Sequence, residues 1–401
     1  MPLLSTKDLC QSELWLRRAH HVLAWIFHFY VHTHPPAQGN ETSDITIPAS
    51  LTLPLLRVST QLDLPPVVSY ADSVLYNWDF ACPPSSPDEI PTTSNIRCQT
   101  LFTQTLTESE FFLVSARIEL IGVRALDIMR ATMDEMFVGD DIAARRITGF
   151  LWKLQEVVAK MKEQLLGLRE TGCDPDTFYN EVRPWLAGCD SNKRKWVFEG
   201  LKEAIEKCER GEEEEIIREP QELSGPSAGQ SSLIHSLDIF LGVDKYSHSV
   251  VTIGGKNAPE LSPDTVAQKS SFLARMRLYM PRHHRRFLHH LAANPRPLRD
   301  FVVARADSEL AAKSDEDREL VDSYNAAVQA LKEFRDAHMM TVTLYIISPA
   351  ARARKAQAEL VAKENDQKEK ERKPLKGTGG TNLVQFLKGV RDQTKNAILP
   401  C

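Results

Sequence analysis

Paired cysteines, a long apolar run and an excess of positive charge are all missing from this 401-residue chain, and each absence removes a class of protein. Its seven cysteines (Cys10, Cys82, Cys98, Cys173, Cys189, Cys208 and Cys401) are scattered, odd in number and form no C-x-x-C pair. Zinc ribbons, dithiol redox motifs and covalent cofactor attachment are thereby disfavoured, and reduced thiols in the cytoplasm are expected. The only early apolar run, Val22 to Val31, is broken by His28. It falls short of the roughly 20 residues that cross a bilayer and carries no signal-peptide cleavage pattern, so no membrane partner is expected. With 54 acidic residues against 49 Lys and Arg the net charge is -5, which gives nucleic acid no electrostatic footprint. No G-x-x-x-x-G-K-[ST], G-x-G-x-x-G or H-E-x-x-H occurs, which argues against nucleotide and zinc-protease chemistry. Gly225 to Gly229 spells G-x-S-x-G, but no apolar strand precedes it to build a nucleophile elbow.

What remains is helical periodicity. Apolar residues recur at helical spacing from Ser109 to Met136, through Phe112, Ala116, Leu120, Val123 and Leu126, and predict a long buried helix. Further helices are expected over Ile142 to Leu168, Lys193 to Cys208, Ser231 to Val243, Ser270 to Met280, Arg282 to Ala293, Leu298 to Val303 and Glu316 to Ile347. Almost no strand alternation appears, so the fold class is all-α. Seven prolines and glycines between residues 34 and 66 point there to loops and short pieces rather than a long helix. A short helix is expected over Val67 to Trp78 and a proline-rich loop from Ala81 to Arg97. These features put a boundary near residue 100, between a small N-terminal domain (1–100) and a large helical one (101–401). The polar run from Ala350 to Lys376 reads as a mobile surface segment or frayed helix leading into Gly377-Thr378-Gly379-Gly380-Thr381.

Five places could carry chemistry. His338 shares the stripe of Tyr324, Ala327, Leu331, Phe334, Val342 and Tyr345 and therefore faces the core. A histidine there is more often a hydrogen-bonded core residue than a ligand, although an apolar wall around one imidazole also suits a buried haem. Phe111 and Ser115, four apart, project from one helix face and can line a pocket or simply pack. Arg183, with Phe178 and Tyr179 just before it, suits an amino-acid ligand, since guanidinium clamps a carboxylate while rings pack on the side chain. It reads equally as a surface arginine. The basic cluster Arg282, His283, His284, Arg285, Arg286, His289 and His290 lacks a companion carboxylate or cysteine and reads as a surface patch. Ser224 to Ser232 is a small-residue turn before a helix, able to cap it or to hold an anionic group.

Taken in order, several segments resemble indoleamine 2,3-dioxygenases across most of the chain. They are Leu62-Asp63-Leu64-Pro65-Pro66 through Tyr70-Ala71-Asp72 to Asn77-Trp78, then Phe111-Phe112-Leu113-Val114-Ser115, then Ser227 to Ser232. Met276-Arg277-Leu278-Tyr279-Met280-Pro281 with His284-Arg285, the His338 helix, and Gly377 to Thr381 with Phe386-Leu387-Lys388 complete the series. The resemblance implies non-covalent haem b between the two domains, with His338 as the proximal iron ligand. It implies that Tyr70 and Ser73 cover the distal pocket, that Phe111 and Ser115 lie on the distal helix, and that Phe178 and Arg183 position substrate. Asp238 and Arg335 match a charged pair near the haem, Ser227 and Ala228 the turn above it, and Thr378 the loop that closes the site. The implied reaction is cleavage of the indole C2–C3 bond of L-tryptophan by O2 to N-formylkynurenine, opening the kynurenine route toward NAD. Ser115 and Arg183 would be the catalytic side chains, with an electron donor to reduce the haem in a cytoplasmic monomer. A haem-binding sensor of the same fold with little turnover is the other reading. Pro226 stands where the family usually has glycine, Tyr179 where a second phenylalanine is common, and the N-terminal stretch departs from the family's pattern.

Overall fold

The computed structural model describes residues 3–34, 44–189, 194–212, 215–244, 272–306, 314–364 and 383–400. It is mostly helical. The frame consists of α1 (Glu13–His32), α2 (Ala49–Leu62), α3 (Leu106–Val138), α4 (Asp141–Leu166), α5 (Leu201–Glu209), α6 (Ser232–Phe240), α7 (Arg282–Ala292), α8 (Leu298–Ala306), α9 (Asp315–Val342), α10 (Ser348–Glu364) and α11 (Leu383–Asn396).

The long helices begin where the side chains can satisfy free backbone N–H groups. Thr105 accepts from Glu108 N ahead of α3, Asp140 from Ala143 N ahead of α4, and Ser314 from Asp317 N ahead of α9. Gly139, at φ 73°, ends α3 in the left-handed conformation that costs glycine least, and Asp140 comes at once as the cap of α4. That two-residue hinge folds α4 back along α3, and α9 packs on the other side of α4. Leu151, Leu154, Val158 and Met161 of α4 and Tyr324, Val328 and Leu331 of α9 are fully buried between them.

The N-terminal part joins the same core. Trp25 of α1 stacks on Phe102 at 4.0 Å, and Phe102 stacks in turn on Trp185 at 5.4 Å. Rings from residues 25, 102 and 185 thus form one column across the expected boundary at residue 100.

Several expectations need correction. The proline-rich stretch contains a regular 14-residue helix, α2, with Pro54 inside it. Pro48 precedes the first turn, and Leu55, Leu56 and Val58 are buried, so packing offsets the one backbone bond that Pro54 removes. Val67 to Trp78 is not a continuous helix. Only Ala71–Leu75 coils, and Trp78–Phe80 forms β2, paired antiparallel with β3 (Ile96–Cys98) at the end of the expected loop. Lys193 to Cys208 divides into β4 (Trp196–Phe198), which pairs parallel with β1 (Ile45–Ile47), and then α5. Two-stranded pairings this short have too few alternating positions to register in a period-2 scan. The polar run after Ala350 is helical as far as Glu364. The remainder of it and the Gly377 to Thr381 segment lie outside the described residues.

Candidate active site

Several chain segments line a cavity of ≈ 270 Å³. From α3 come Phe111, Phe112, Val114, Ser115 and Ile118, and from α9 Phe334, Arg335, His338, Thr341 and Val342. Tyr70, Ser73 and Val74 close it from the N-terminal part, and Phe178, Arg183 and the 226–238 segment add to the wall together with Leu165, Phe272, Tyr345 and Phe386. Every site residue expected from the sequence borders this space except Thr378, which lies outside the described residues.

Three helical turns wound with π spacing, Ala71–Leu75, Phe178–Val182 and Thr343–Ile347, meet here. Widening a helix by one residue rotates the residues beyond it, and such turns concentrate at functional sites because they re-aim side chains without ending the helix. Phe178, opening the second, lies 4.2 Å ring to ring from Phe111, and Tyr345, in the third, meets Phe178 edge-on at 5.8 Å. The Tyr345 hydroxyl donates to the Cys173 carbonyl at 2.7 Å, which fixes that ring.

His338 has no protein hydrogen-bond partner among the described residues, and its ring borders the cavity. Burial, aided by the nearby Arg335 charge, pushes its pKa down to about 4, so the imidazole is neutral with a free lone pair. A neutral, unpartnered imidazole on an apolar wall is the donor that a haem iron needs, so the residues present fit that group. Beside it Arg335 makes a two-pronged pair with Asp238 at 2.5 and 2.7 Å and also donates to Thr394. Joining α9, α6 and α11 in this way, the pair leaves no bare charge on the cavity wall.

Arg183 opens a tight helical turn, Arg183–Leu186, that directly continues the Phe178 turn. Its guanidinium lies over the Tyr179 ring at 5.5 Å, and burial lowers its pKa. Tyr179 therefore faces the arginine and does not line the cavity.

Across from Arg183, Ser227 accepts from Gly229 N at 3.2 Å, and Ser231 caps α6. The approach of the two segments depends on glycine: a Cβ on Gly225 would stand 1.9 Å from the Leu186 carbonyl oxygen, and one on Gly188 2.4 Å from Gly225 N. Gly225 thereby sets the spacing between the arginine segment and the serine turn.

Two residues at this site escape the sequence reading. Glu119, four residues beyond Ser115, accepts from Tyr70 Oη at 2.9 Å and Ser231 Oγ at 2.6 Å, and burial raises its pKa. Its place at i+8 from Phe111 was the available signal. His235 borders the cavity and its Nε2 meets the Gly229 carbonyl at 3.0 Å, with a pKa lowered by burial. The basic cluster is no open anion site: Arg282 and His283 reach Glu13 at 2.6 and 2.9 Å, and Arg285 reaches Asp63 at 2.6 Å. It fastens α7 to α1 and α2. Among the described residues no cluster of His, Cys, Asp and Glu could hold a bare metal ion, and no helix is long and apolar enough to cross a membrane.

A mostly helical frame, an apolar cavity and an unpartnered neutral imidazole, His338, on its wall suit a flat apolar group beside a small ligand. The family model of indoleamine 2,3-dioxygenase matches residues 1–397, and the chain belongs to that family. It is similar to rat indoleamine 2,3-dioxygenase 1, 31% identical over all of this chain and 83% of the relative. The Saccharomyces cerevisiae indoleamine 2,3-dioxygenase is 31% identical over 94% of this chain and 77% of the relative. A Fusarium equiseti 6-hydroxytryptophan 2,3-dioxygenase is 27% identical over 99% and 85%.

Proposed function

We propose that this protein cleaves the indole C2–C3 bond of L-tryptophan with O2 to give N-formylkynurenine, using haem b held by His338. The observation that carries the reading is the unpartnered His338 imidazole on the wall of an apolar cavity that Phe111, Ser115 and Arg183 also line. Haem b, when bound, supplies the iron centre that activates O2. Ser227, Asp238 and Arg335 would hold its polar edge.

Arg183 pairs with the substrate carboxylate, a charge-assisted contact strengthened by the partial burial of the guanidinium. Phe111 and Phe178 pack on the indole. Ser115 is the one polar residue that α3 contributes to the cavity, and its hydroxyl hydrogen-bonds the substrate without removing a proton. No protein base is required, because addition to the ring leaves the indole N–H in place. Apolar walls keep water away from the reacting atoms. Residues 1–100 act as a cap through Tyr70 and Ser73, and residues 101–401 hold the remainder. An electron donor keeps the haem reduced, and the protein works as a cytoplasmic monomer.

The test is an assay of the haem-loaded, reduced protein with L-tryptophan, following the Soret band and N-formylkynurenine absorbance together. Product is expected, and His338→Ala is expected to lose the ligated haem spectrum. A normal haem spectrum without product would favour the sensor reading, and absence of haem from the wild type would overturn both. The name of the Fusarium relative makes 6-hydroxytryptophan the second substrate to assay.

A further inference from the structure

Behind the turn that brings Tyr70 and Ser73 to the cavity lies a buried ionisable pair that the reaction does not use. His20 of α1 is 1% exposed and Asp72 2%. Both ring nitrogens of His20 meet acceptors: Nδ1 lies 2.9 Å from Asp72 Oδ1 and Nε2 3.1 Å from the Pro65 carbonyl. A carbonyl oxygen only accepts, so Nε2 carries a hydrogen. Asp72 Oδ2 already accepts from Ser69 N at 2.9 Å and Ser69 Oγ at 2.7 Å, which favours the ionised carboxylate and makes Nδ1 a donor as well. An imidazole with two N–H donors is an imidazolium.

The same carboxylate shapes the turn. Ser69 and Asp72 form a reciprocal cap, since Asp72 N in turn approaches Ser69 Oγ at 3.4 Å. Ser73 Oγ donates to the Ser69 carbonyl at 2.9 Å, and Trp25 Nε1 to the Asp72 carbonyl at 3.4 Å. Tyr70, the next residue along, is then delivered to Gln230 Oε1 through its N–H at 2.8 Å and to Glu119 through its hydroxyl. We infer that the buried His20 imidazolium, paired with Asp72, is a positioning residue that holds Tyr70 and Ser73 in register over the cavity, so that substrate binding weakens when His20 loses its proton.

Among the histidines of α1 with a shifted pKa, His20 is the one whose pKa is raised. On α1, burial keeps His21 neutral and pushes His28 down to about 3, while Glu13 stays ionised, with a pKa of about 2. Arg17 and Arg18 add two cations on the same helix, Tyr76 at the end of the turn is raised by burial, and on α3 Glu119 faces Tyr70. Burial alone would lower the His20 pKa, but the charge and hydrogen bond of Asp72 with the Pro65 carbonyl outweigh it and raise it above 6.5. The stabilisation is therefore complete below pH 6.5 and lost as pH rises through the folded value.

The kinetic half of this inference rests on the proposed site; the charge state does not. In the full chain labelled with ¹⁵N-histidine, the His20 resonances, identified by their loss in His20→Asn, are expected to show both ring nitrogens protonated at pH 7.5. With L-tryptophan, the wild-type KM should climb relative to that of His20→Asn by about tenfold in total as pH is raised, the two converging at the alkaline end while kcat stays level. A neutral His20 at pH 7.5 overturns the inference even if product forms, and parallel KM profiles overturn the positioning role. If no product forms at all, the proposed function fails while the nitrogen signals still decide the charge. Should His20→Asn not fold, Asp72→Asn replaces it: His20 is then expected to be neutral at pH 7.5, and an unchanged imidazolium refutes the pairing.

Discussion

Replacing Gly225 with alanine tests whether the site depends on two backbone segments lying closer than any side chain allows. The new Cβ would start 1.9 Å from the Leu186 carbonyl oxygen, so the segments must part by about 1.5 Å to reach an ordinary contact. Leu186 ends the turn that Arg183 opens, and Gly225 stands two residues before Ser227. The displacement therefore falls on the span between Arg183, the proposed carboxylate clamp, and the serine turn. Overpacking of this kind typically costs about 1–3 kcal/mol of stability, which leaves a folded protein. Misplacing a positioning group by about 1 Å costs on the order of 100-fold in rate, so kcat/KM for L-tryptophan should fall by about that factor. Thermal unfolding, the haem spectrum and steady-state kinetics are to be measured on one preparation. Near-native haem and modest destabilisation with the large kinetic loss are expected. Wild-type kcat/KM in Gly225→Ala would refute the reasoning, because the close approach would then have no bearing on substrate.

Arg183→Ala should retain the haem spectrum and lose substrate affinity by about 2–4 kcal/mol in kcat/KM terms, with Arg183→Lys recovering only part because a point charge cannot bind a carboxylate two-pronged; equal kinetics for wild type and Arg183→Ala would remove the clamp. Glu13 resists burial through hydrogen bonds to Arg282, His283 and Arg17 that lower its pKa to about 2. Its contribution to stability is present above pH 4.5 and lost as pH falls toward 2, so the melting temperatures of wild type and Glu13→Gln should converge over that range. A gap independent of pH would assign the effect to packing.

The long helices were legible because their information is local: the stripes of α3 and α9, and the caps Thr105, Asp140 and Ser314, each sit within a few residues of the structure they specify. For the same reason the face of His338, and the pairing of Phe111 with Ser115, came from helical spacing alone. Resemblance to a family added the implied roles of Tyr70, Ser73, Asp238 and Arg335, which no spacing reveals. Only the tertiary structure decided the rest. Pro54 stays helical because Leu55, Leu56 and Val58 are buried around it, and β1 finds β4 about 150 residues away. Gly225 meets Leu186, Glu119 meets Tyr70 and Ser231, and His20 meets Asp72. Each of these depends on groups from distant parts of the chain arriving in a water-poor interior, where a glycine, a carboxyl or an imidazole takes its meaning from its neighbours in space. Periodicity places a residue on a face, and the packed fold decides what that face meets.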